Sequence, residues 1–408
     1  MPDNKFIHLI IPLVRKLLEF ESPTDKLLSN FFRENKKLTS LERSLVADTV
    51  YTILRNYYKL NVALPEHIPN IIGLTWLKLL NIAPSIVAKI NMLDINYLNS
   101  IEFKHDQTST LELPEWIIKQ LQLNYTDTEI EKLALSMGQA AALDLRVNLV
   151  KNNLNTVLSS LSEFNPQKME FSPFGIRLKD KAFLAKHPLF LDGSIEVQDE
   201  SSQVAGLLLN PKRGDMVVDF CAGAGGKTLL FGMLMRNSGR IYAFDVNEKR
   251  LNNLSPRMIR AGLSNVYPQL IAHENDAKIK RLHNKIDRVF VDAPCSGLGT
   301  LRRNPELKFR QTEIGINELN RKQEAILEQA SKLLKVGGHL VYATCSILYQ
   351  ENQNIVKQFL HNHPEFELIP ASSVLTSPHL ARDNIYLELL PHIHNTDGFF
   401  AALLRRVS

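Results

Sequence analysis

Cysteine is scarce in this chain, with three in 408 residues. That scarcity excludes a disulfide-stapled scaffold and fits a reducing compartment. Long apolar runs are missing as well. No stretch of about 18 uninterrupted apolar residues occurs, so a membrane-spanning helix is not expected. Charge of one sign has little excess, 48 Lys and Arg against 43 Asp and Glu, a formal +5. A surplus so small is compatible with a polyanionic partner without requiring one. Phe6 to Phe20 is apolar, but Arg15, Lys16 and Glu19 interrupt it and no small-residue cleavage site follows. It reads as an amphipathic first helix, not an export signal, and a cytoplasmic protein is expected. Internal repeats and low-complexity tracts are absent too. What remains is an ordinary globular composition, 44% hydrophobic and 22% charged, in a chain long enough for two or three domains.

From Phe6 to about Leu98 the pattern is helical. Ile7, Ile10, Ile11, Val14, Leu17 and Leu18 share one face. A helix over Ser40 to Tyr57 takes Ser40 as N-cap, with Leu41, Leu45, Val46, Thr49, Val50, Ile53 and Leu54 as its stripe. Pro65, Pro69 and Pro84 divide the rest into short helices. Lys36, Lys37, Arg43, Arg55 and Lys59 invite a basic face, although a solvated helix surface is the plainer reading. His105 to Thr110 reads as a polar linker. Helices over Pro114 to Leu123 and Asp127 to Gln139 follow, then strands at Asp144 to Val150, Gly175 to Leu178 and Phe190 to Gln198. A helix at Leu154 to Leu161 lies among them. The expected division is therefore a helical region at 1–105, a small α+β module at 111–195 and a third domain at 196–408.

That third domain alternates short strands with helical spacing. Its strands centre on Met216 to Asp219, Ile241 to Asp245, Val266 to Ile271, Ile286 to Val291 and His339 to Thr344. Helices are expected at Lys227 to Arg236, Glu248 to Ala261 (kinked at Pro256) and Asn317 to Lys335. Alternation of this kind specifies an α/β fold, a mostly parallel sheet with helices on both faces. Ligands of such sheets sit at the carboxyl ends of the strands. Four strands end there in polar or reactive residues.

Gly223, Gly225 and Gly226 follow the first strand and open a helix, which suits close approach of a ligand to the backbone. A Walker A loop needs glycine where Cys221 stands, and a dinucleotide fingerprint needs one where Thr228 stands. Neither motif is complete. What survives is a glycine turn and an acid, Asp245, ending the next strand, where it can take both hydroxyls of a ribose. S-adenosylmethionine fits, having a nucleoside but no phosphates. Asp276, after the following strand, is placed to meet the adenine amine.

Cys221, Cys295 and Cys345 each follow a predicted strand. A lone cysteine is usually an inert buried hydrophobe. Cys295, in Asp292-Ala293-Pro294-Cys295, and Cys345, in Thr344-Cys345-Ser346, share one sheet edge with the glycine loop, which favours chemistry. Carbon 5 of a pyrimidine is a poor nucleophile until a thiolate adds to carbon 6 and makes the ring an enamine. Asp292 is the carboxyl available near ring nitrogen 3 or the exocyclic amine. Release then needs loss of the carbon 5 proton and of the thiol, so a second thiol also has a task. Chemistry alone leaves open which cysteine attacks.

From about Val197 to Leu404 the chain resembles the Sun/Nop family of RNA (cytosine-5)-methyltransferases. The resemblance rests on Gln198-Asp199-Glu200, Cys221 to Thr228, Asp245, Asp276, Asp292 to Gly297, Arg302-Arg303-Asn304-Pro305, Thr344-Cys345-Ser346 and Asp397-Gly398-Phe399-Phe400. It implies a Rossmann-like class I methyltransferase domain. It implies Cys345 as nucleophile and Cys295 as the residue assisting release. Cys221, Ala222, Gly223, Ala224, Gly225, Gly226, Lys227, Asp245, Arg250, Asp276 and Asp292 would contact S-adenosylmethionine or lie beside it. Two departures stand out: Gly223-Ala224 where the family has Ala-Pro, and Phe309 where tryptophan is common. The resemblance also implies a NusB-like N-terminal region and an RNA-recognition-like small module beginning near Arg146. A target base must be unstacked to react, so single-stranded or looped RNA is the expected partner, ribosomal rather than transfer RNA. Arg302 and Arg303 would hold phosphates beside that base. No metal is expected, and the chain is expected to be a monomer.

Overall fold

The computed structural model describes residues 2–65, 67–103, 106–179, 182–375, 380 and 385–408. They form two compact units, Met1–Ala140 with Thr300–Glu313, and Ala141–Gly299 with Ile314–Ser408.

The first unit is helical, with no strand among its described residues. Helix Asn4–Leu17 starts at Asp3, whose side chain accepts from Phe6 N, and buries Phe6, Ile7, Ile10, Leu13, Val14 and Leu17. Helix Ser40–Arg55 is capped by Thr39, not by Ser40. Thr39 accepts from Glu42 N while the Glu42 side chain returns to Thr39 N. That reciprocal capping box satisfies two end groups at once, which a lone serine does not. Leu41 consequently sits on the outer first turn, 84% exposed, and the buried stripe runs from Val46 to Leu54.

His105 lies outside the described residues, but the rest of the expected linker is helix Gln107–Leu111, capped by Asp106 with Ser109. Short polar residues read as linker here because the same residues cap helices. The expected basic face is partly spoken for. Arg43 donates to the carbonyls of Phe32, Asn35, Lys36 and Leu38, and Arg55 donates to the Arg302 carbonyl. Segment Thr300–Glu313 is thereby part of this unit's core. Phe309 stacks on Phe20 with ring centroids 4.3 Å apart and meets Tyr57 edge-on at 5.0 Å.

The second unit carries two sheets. The smaller is wholly antiparallel: β1 (Leu143–Val147), β2 (Pro166–Lys168), β3 (Gly175–Leu178) and β4 (Ile195–Val197), in the order β2-β3-β1-β4. β2 has no apolar alternation to announce it. β4 is shorter than expected because Pro188–Leu191 is a helical turn with proline at its start.

The larger sheet holds β5 (Met216–Asp219), β6 (Arg240–Asp245), β7 (Val266–Leu270), β8 (Ile286–Asp292), β9 (Leu334–Thr344), β10 (Phe366–Ile369), β11 (Leu387–Leu389) and β12 (Phe399–Arg406). Its order is β10-β12-β9-β8-β5-β6-β7, with β11 also on β12. β5 to β9 pair in parallel, and β10, β11 and β12 add antiparallel partners. The chain moves outward from β5 through β6 to β7, then returns to lay β8 on the other side of β5. That reversal opens a crevice between the β5 and β8 ends.

Two helices differ from expectation. The long one is Glu313–Ser331, because Leu334 already begins β9. The helix expected over Glu248 to Ala261 is two, Glu248–Asn252 and Leu254–Ala261. Pro256 has no N–H to offer the Asn252 carbonyl, so the break falls before the proline and not at it.

Candidate active site

Because β6, β5, β8 and β9 are neighbours, their carboxyl ends bring Asp245, Asp219, Asp292 and Thr344 to one edge. The glycine loop leaves β5 under tight backbone control. Ala222 N donates to the Phe244 carbonyl at 2.8 Å, and Gly225 N to the Ala222 carbonyl at 2.8 Å. Gly225 has φ +86°, and a Cβ there would lie 2.1 Å from Leu254 Cδ1, so this turn requires glycine. Asp245 shapes the loop: Oδ2 accepts from Gly223 N and Oδ1 from Asn247 N, each at 2.7 Å.

A Cβ built on Gly223 would meet nothing within 4 Å, so the loop has open space on that side. A glycine cradle with free space above it, an ordered acid at the next strand end and no phosphate motif fits a nucleoside ligand without phosphates.

Two arginines grip this loop from outside. Arg257 Nη1 donates to the Ala224 carbonyl at 2.7 Å, and its Nη2 to Glu196 Oε2 at 2.8 Å. Arg146, fully buried, donates to the Gly226 carbonyl at 2.7 Å and to Gln198. Burial brings the Arg146 guanidinium down to about 10. Arg146 lies on β1, Glu196 on β4 and Gln198 just beyond it. The small sheet thus restrains the loop at the Ala224 and Gly226 carbonyls.

Lys227 opens the helix after the loop. Its Nζ lies 2.7 Å from Asp292 Oδ2, over the Phe399 ring at 5.0 Å and the Phe290 ring at 5.8 Å. Burial alone would pull its pKa down, but the Asp292 carboxylate more than offsets this and the net shift is upward. Asp219 is fully buried, and that burial pushes its carboxyl up to about 7 although Thr228 Oγ1 donates to it at 2.6 Å.

Cys295 Sγ and Cys345 Sγ lie 3.4 Å apart. The bond to Cys345, then burial, pushes the Cys295 thiol well up. Cys221 is also driven well up, by burial first and by Asp292, Asp219 and Asp245 after it. Gly299 N donates to the Cys345 carbonyl at 2.9 Å, and Gly398 N to the Gly299 carbonyl at 2.7 Å. A Cβ on Gly299 would stand 2.1 Å from the Gly398 oxygen and 2.8 Å from that of Cys345. Only glycine allows this approach.

The second unit therefore gathers residues 221–227, Asp245, Asp292, Cys295 and Cys345 along one sheet edge. Asp276 lies one strand further out, beyond β7. Its oxygens accept from Ala272 N and Lys278 N, bonds that hold its carboxyl below the usual range. Arg250 is exposed on helix Glu248–Asn252. Arg302, buried, and Arg303, half-buried, belong to the other compact unit. Asp219, Arg257 and Gly299 are the residues that sequence reasoning passed over. Asp219 had a signal, as the acid ending the strand before the glycine loop. Among the described residues no group of three or more His, Cys, Asp or Glu could hold a metal ion, and no helix is long and apolar enough to cross a membrane.

Comparison with known proteins identifies relatives of this chain. Residues 206–405 match the family model described as 16S rRNA methyltransferase RsmB/F, and residues 113–183 match its ferredoxin-like domain. A probable ribosomal RNA small subunit methyltransferase B of Synechocystis is 36% identical over 302 residues, 72% of this chain and 66% of that protein. The chain thus spans about two thirds of that relative's length. A ribosomal RNA small subunit methyltransferase B of Shigella boydii is 31% identical over 324 residues, 78% of this chain and 69% of that protein. The crystal structure of PH0851 superposes with TM-score 0.83 at 27% identity, covering 100% of this chain and 99% of that one. A methyltransferase homologue from Pyrococcus horikoshii gives 0.60 at 30% identity, covering 72% of this chain and 100% of that one. On this likeness in sequence and fold, the chain belongs to the RsmB/F, or Sun/Nop, methyltransferase family.

Proposed function

We propose that this protein methylates carbon 5 of a cytosine in RNA, with 16S ribosomal RNA as the substrate, through a covalent bond between Cys345 and carbon 6. The observation that carries the reading is the pair of sulfurs 3.4 Å apart, at the ends of adjacent strands β8 and β9, on the edge that also holds the glycine loop. S-adenosylmethionine would supply an electrophilic methyl group, held by residues 221–227 with Asp245 on the ribose.

The roles of the two thiols are those that the family resemblance implies. Either sulfur of the pair can donate to the other, and the contact together with burial favours the protonated form of Cys295. Cys345 adds to carbon 6, and carbon 5 then acts as the nucleophile toward the methyl group. The carbon 5 proton passes to water, the carbon 5–carbon 6 double bond re-forms and Cys345 leaves as thiolate, with Cys295 3.4 Å from that sulfur to assist its departure. Asp292, fixed by Lys227 through Oδ2, has Oδ1 for the base's exocyclic amine.

Incubation with methyl-labelled S-adenosylmethionine and ribosomal RNA tests the reading, with label expected in carbon 5 of cytosine. Cys345→Ala should lower incorporation by about 10⁴-fold or more, the scale of losing a covalent nucleophile, with cofactor affinity unchanged. Cys295→Ala should accumulate a protein–RNA adduct on a denaturing gel. An adduct formed by Cys345→Ala instead would reverse the two roles. RNA bound without any label transferred would favour a non-catalytic assembly factor on the same scaffold.

A further inference from the structure

A serine directly follows each thiol, Ser296 after Cys295 and Ser346 after Cys345, and both hydroxyls end on one carboxyl group. Glu351 Oε2 accepts from Ser296 Oγ at 2.5 Å and from Ser346 Oγ. Its Oε1 accepts from Ser296 N at 2.8 Å and from Gln323 Nε2 at 3.0 Å. Glu351 is fully buried, and its own carbonyl accepts from the Tyr342 hydroxyl of β9 at 2.7 Å. Burying an acid is costly unless its lone pairs are matched. Here they are matched by the two loops that carry sulfur. The β8–β9 ladder closes at Ala293 N to the Ala343 carbonyl, two residues short of each cysteine. Past that point Gly299 joins the Cys345 backbone, and Glu351 joins the residues that follow the thiols.

We propose that Glu351 is a positioning residue that sets the Cys295–Cys345 separation by clasping both thiol-bearing loops through Ser296 and Ser346. Its catalytic consequence rests on the function proposed above: with the clasp gone, Cys345 still adds to the base, but Cys295 no longer stands where it assists release. Its geometric consequence does not depend on that function.

Phenylarsine oxide is a direct probe of the geometry. The reagent condenses with two thiols, forming two arsenic–sulfur bonds and losing one water, and it needs the sulfurs close together. The full wild-type chain should take up one arsenic and Cys345→Ser none. Glu351→Ala should bridge about tenfold more slowly and Ser346→Ala about threefold, as preorganisation of the pair is lost. Glu351→Gln should stay within about twofold of wild type, because an amide still offers an acceptor and donors to both serines. In the methylation assay, Glu351→Ala should raise the adduct fraction and lower kcat at unchanged cofactor affinity. Wild-type bridging rates in both Glu351→Ala and Ser346→Ala would overturn the proposal and leave Glu351 as a stabilising buried acid. Should Glu351→Ala not fold, the contrast between Ser346→Ala and Glu351→Gln decides. A wild type that bridges normally yet transfers no methyl group would defeat the proposed function and leave the clasp standing.

Discussion

Lys227 and Lys308 are both buried, one in each compact unit, and they hold their protons on opposite terms. Lys227 has a carboxylate oxygen at 2.7 Å, and its pKa is raised despite burial. Lys308 has the nearest Glu112 carboxyl oxygen at 3.8 Å and leans on the Glu112 carbonyl at 2.7 Å and on the Phe309 and Tyr58 rings. Burial brings it down to about 8. Burial pushes Glu112 itself upward, which weakens the counter-charge Lys308 has. A buried ammonium is thus kept charged by direct contact with an ionised partner, not by carbonyls and ring faces. The lysine at the sheet edge is built as a permanent charge, and the lysine in the helical core as a packed, hydrogen-bonded plug.

Among the buried cations the largest expected effect comes from removing the first of these charges. Lys227→Met should cut kcat about 10³-fold, the scale of losing one preorganised charge in a site, because Asp292 loses the partner that fixes it. The measurement is single-turnover methyl transfer beside a thermal melt. A loss below about tenfold in a folded variant would mean that Asp292 needs no cation, and the contrast between the lysines would lose its functional half.

How much of this contrast the sequence carried depends on the range of the contacts. Strands β5, β6, β8 and β9 were legible because each is a β-branched or aromatic run ending in a polar or reactive residue, and their order then fixes the site edge. Lys227 was legible as part of the glycine loop, but its pairing with Asp292 spans 65 residues and follows only once β5 and β8 are neighbours. Glu351 and Arg257 had no local signal at all. A glutamate beside Ser346 and an arginine on an amphipathic helix look like surface residues until the fold folds them inward. Lys308 was hidden for a related reason: segment Thr300–Glu313 follows the Cys295 loop in sequence but packs with the N-terminal helices. Local competition explains the remaining differences, as where Thr39 outcompetes Ser40 for the cap.

The second lysine makes its own prediction. Below about pH 8, Lys308 is protonated in the folded and unfolded chains alike, and its desolvation cost is carried in full. Between about pH 8 and the ordinary lysine value near 10.5, the unfolded chain binds a proton that the folded chain has released. Stability therefore rises with pH across that window. A shift of this size corresponds to about 3 kcal/mol. Chemical denaturation at several pH values should show the stability difference between wild type and Lys308→Met rising across that window, since groups common to both, the raised Cys221 and Cys295 thiols among them, cancel. A flat difference between wild type and Lys308→Met would place the Lys308 amine in contact with a full counter-charge, as Lys227 is.

The smallest effect expected concerns a third cation, which neither sits in the site nor plugs a core. Arg257 joins the Ala224 carbonyl of the glycine loop to Glu196 of β4, and Arg260 also reaches Glu196 at 2.5 Å. Arg257→Ala should leave β4 anchored through Arg260 while freeing the loop at Ala224. Cofactor affinity should fall about tenfold, the worth of one charge-assisted hydrogen bond, with kcat at saturating cofactor little changed. Calorimetry with S-adenosylhomocysteine reads the first quantity and saturation kinetics the second. Arg257→Lys should recover little of the loss, since a single ammonium cannot span a carbonyl and a carboxylate on opposite sides as a guanidinium fork does. Full recovery by lysine would show that charge near the loop suffices, and a fall in kcat instead of affinity would show that the small sheet steadies the reacting groups and not the cofactor.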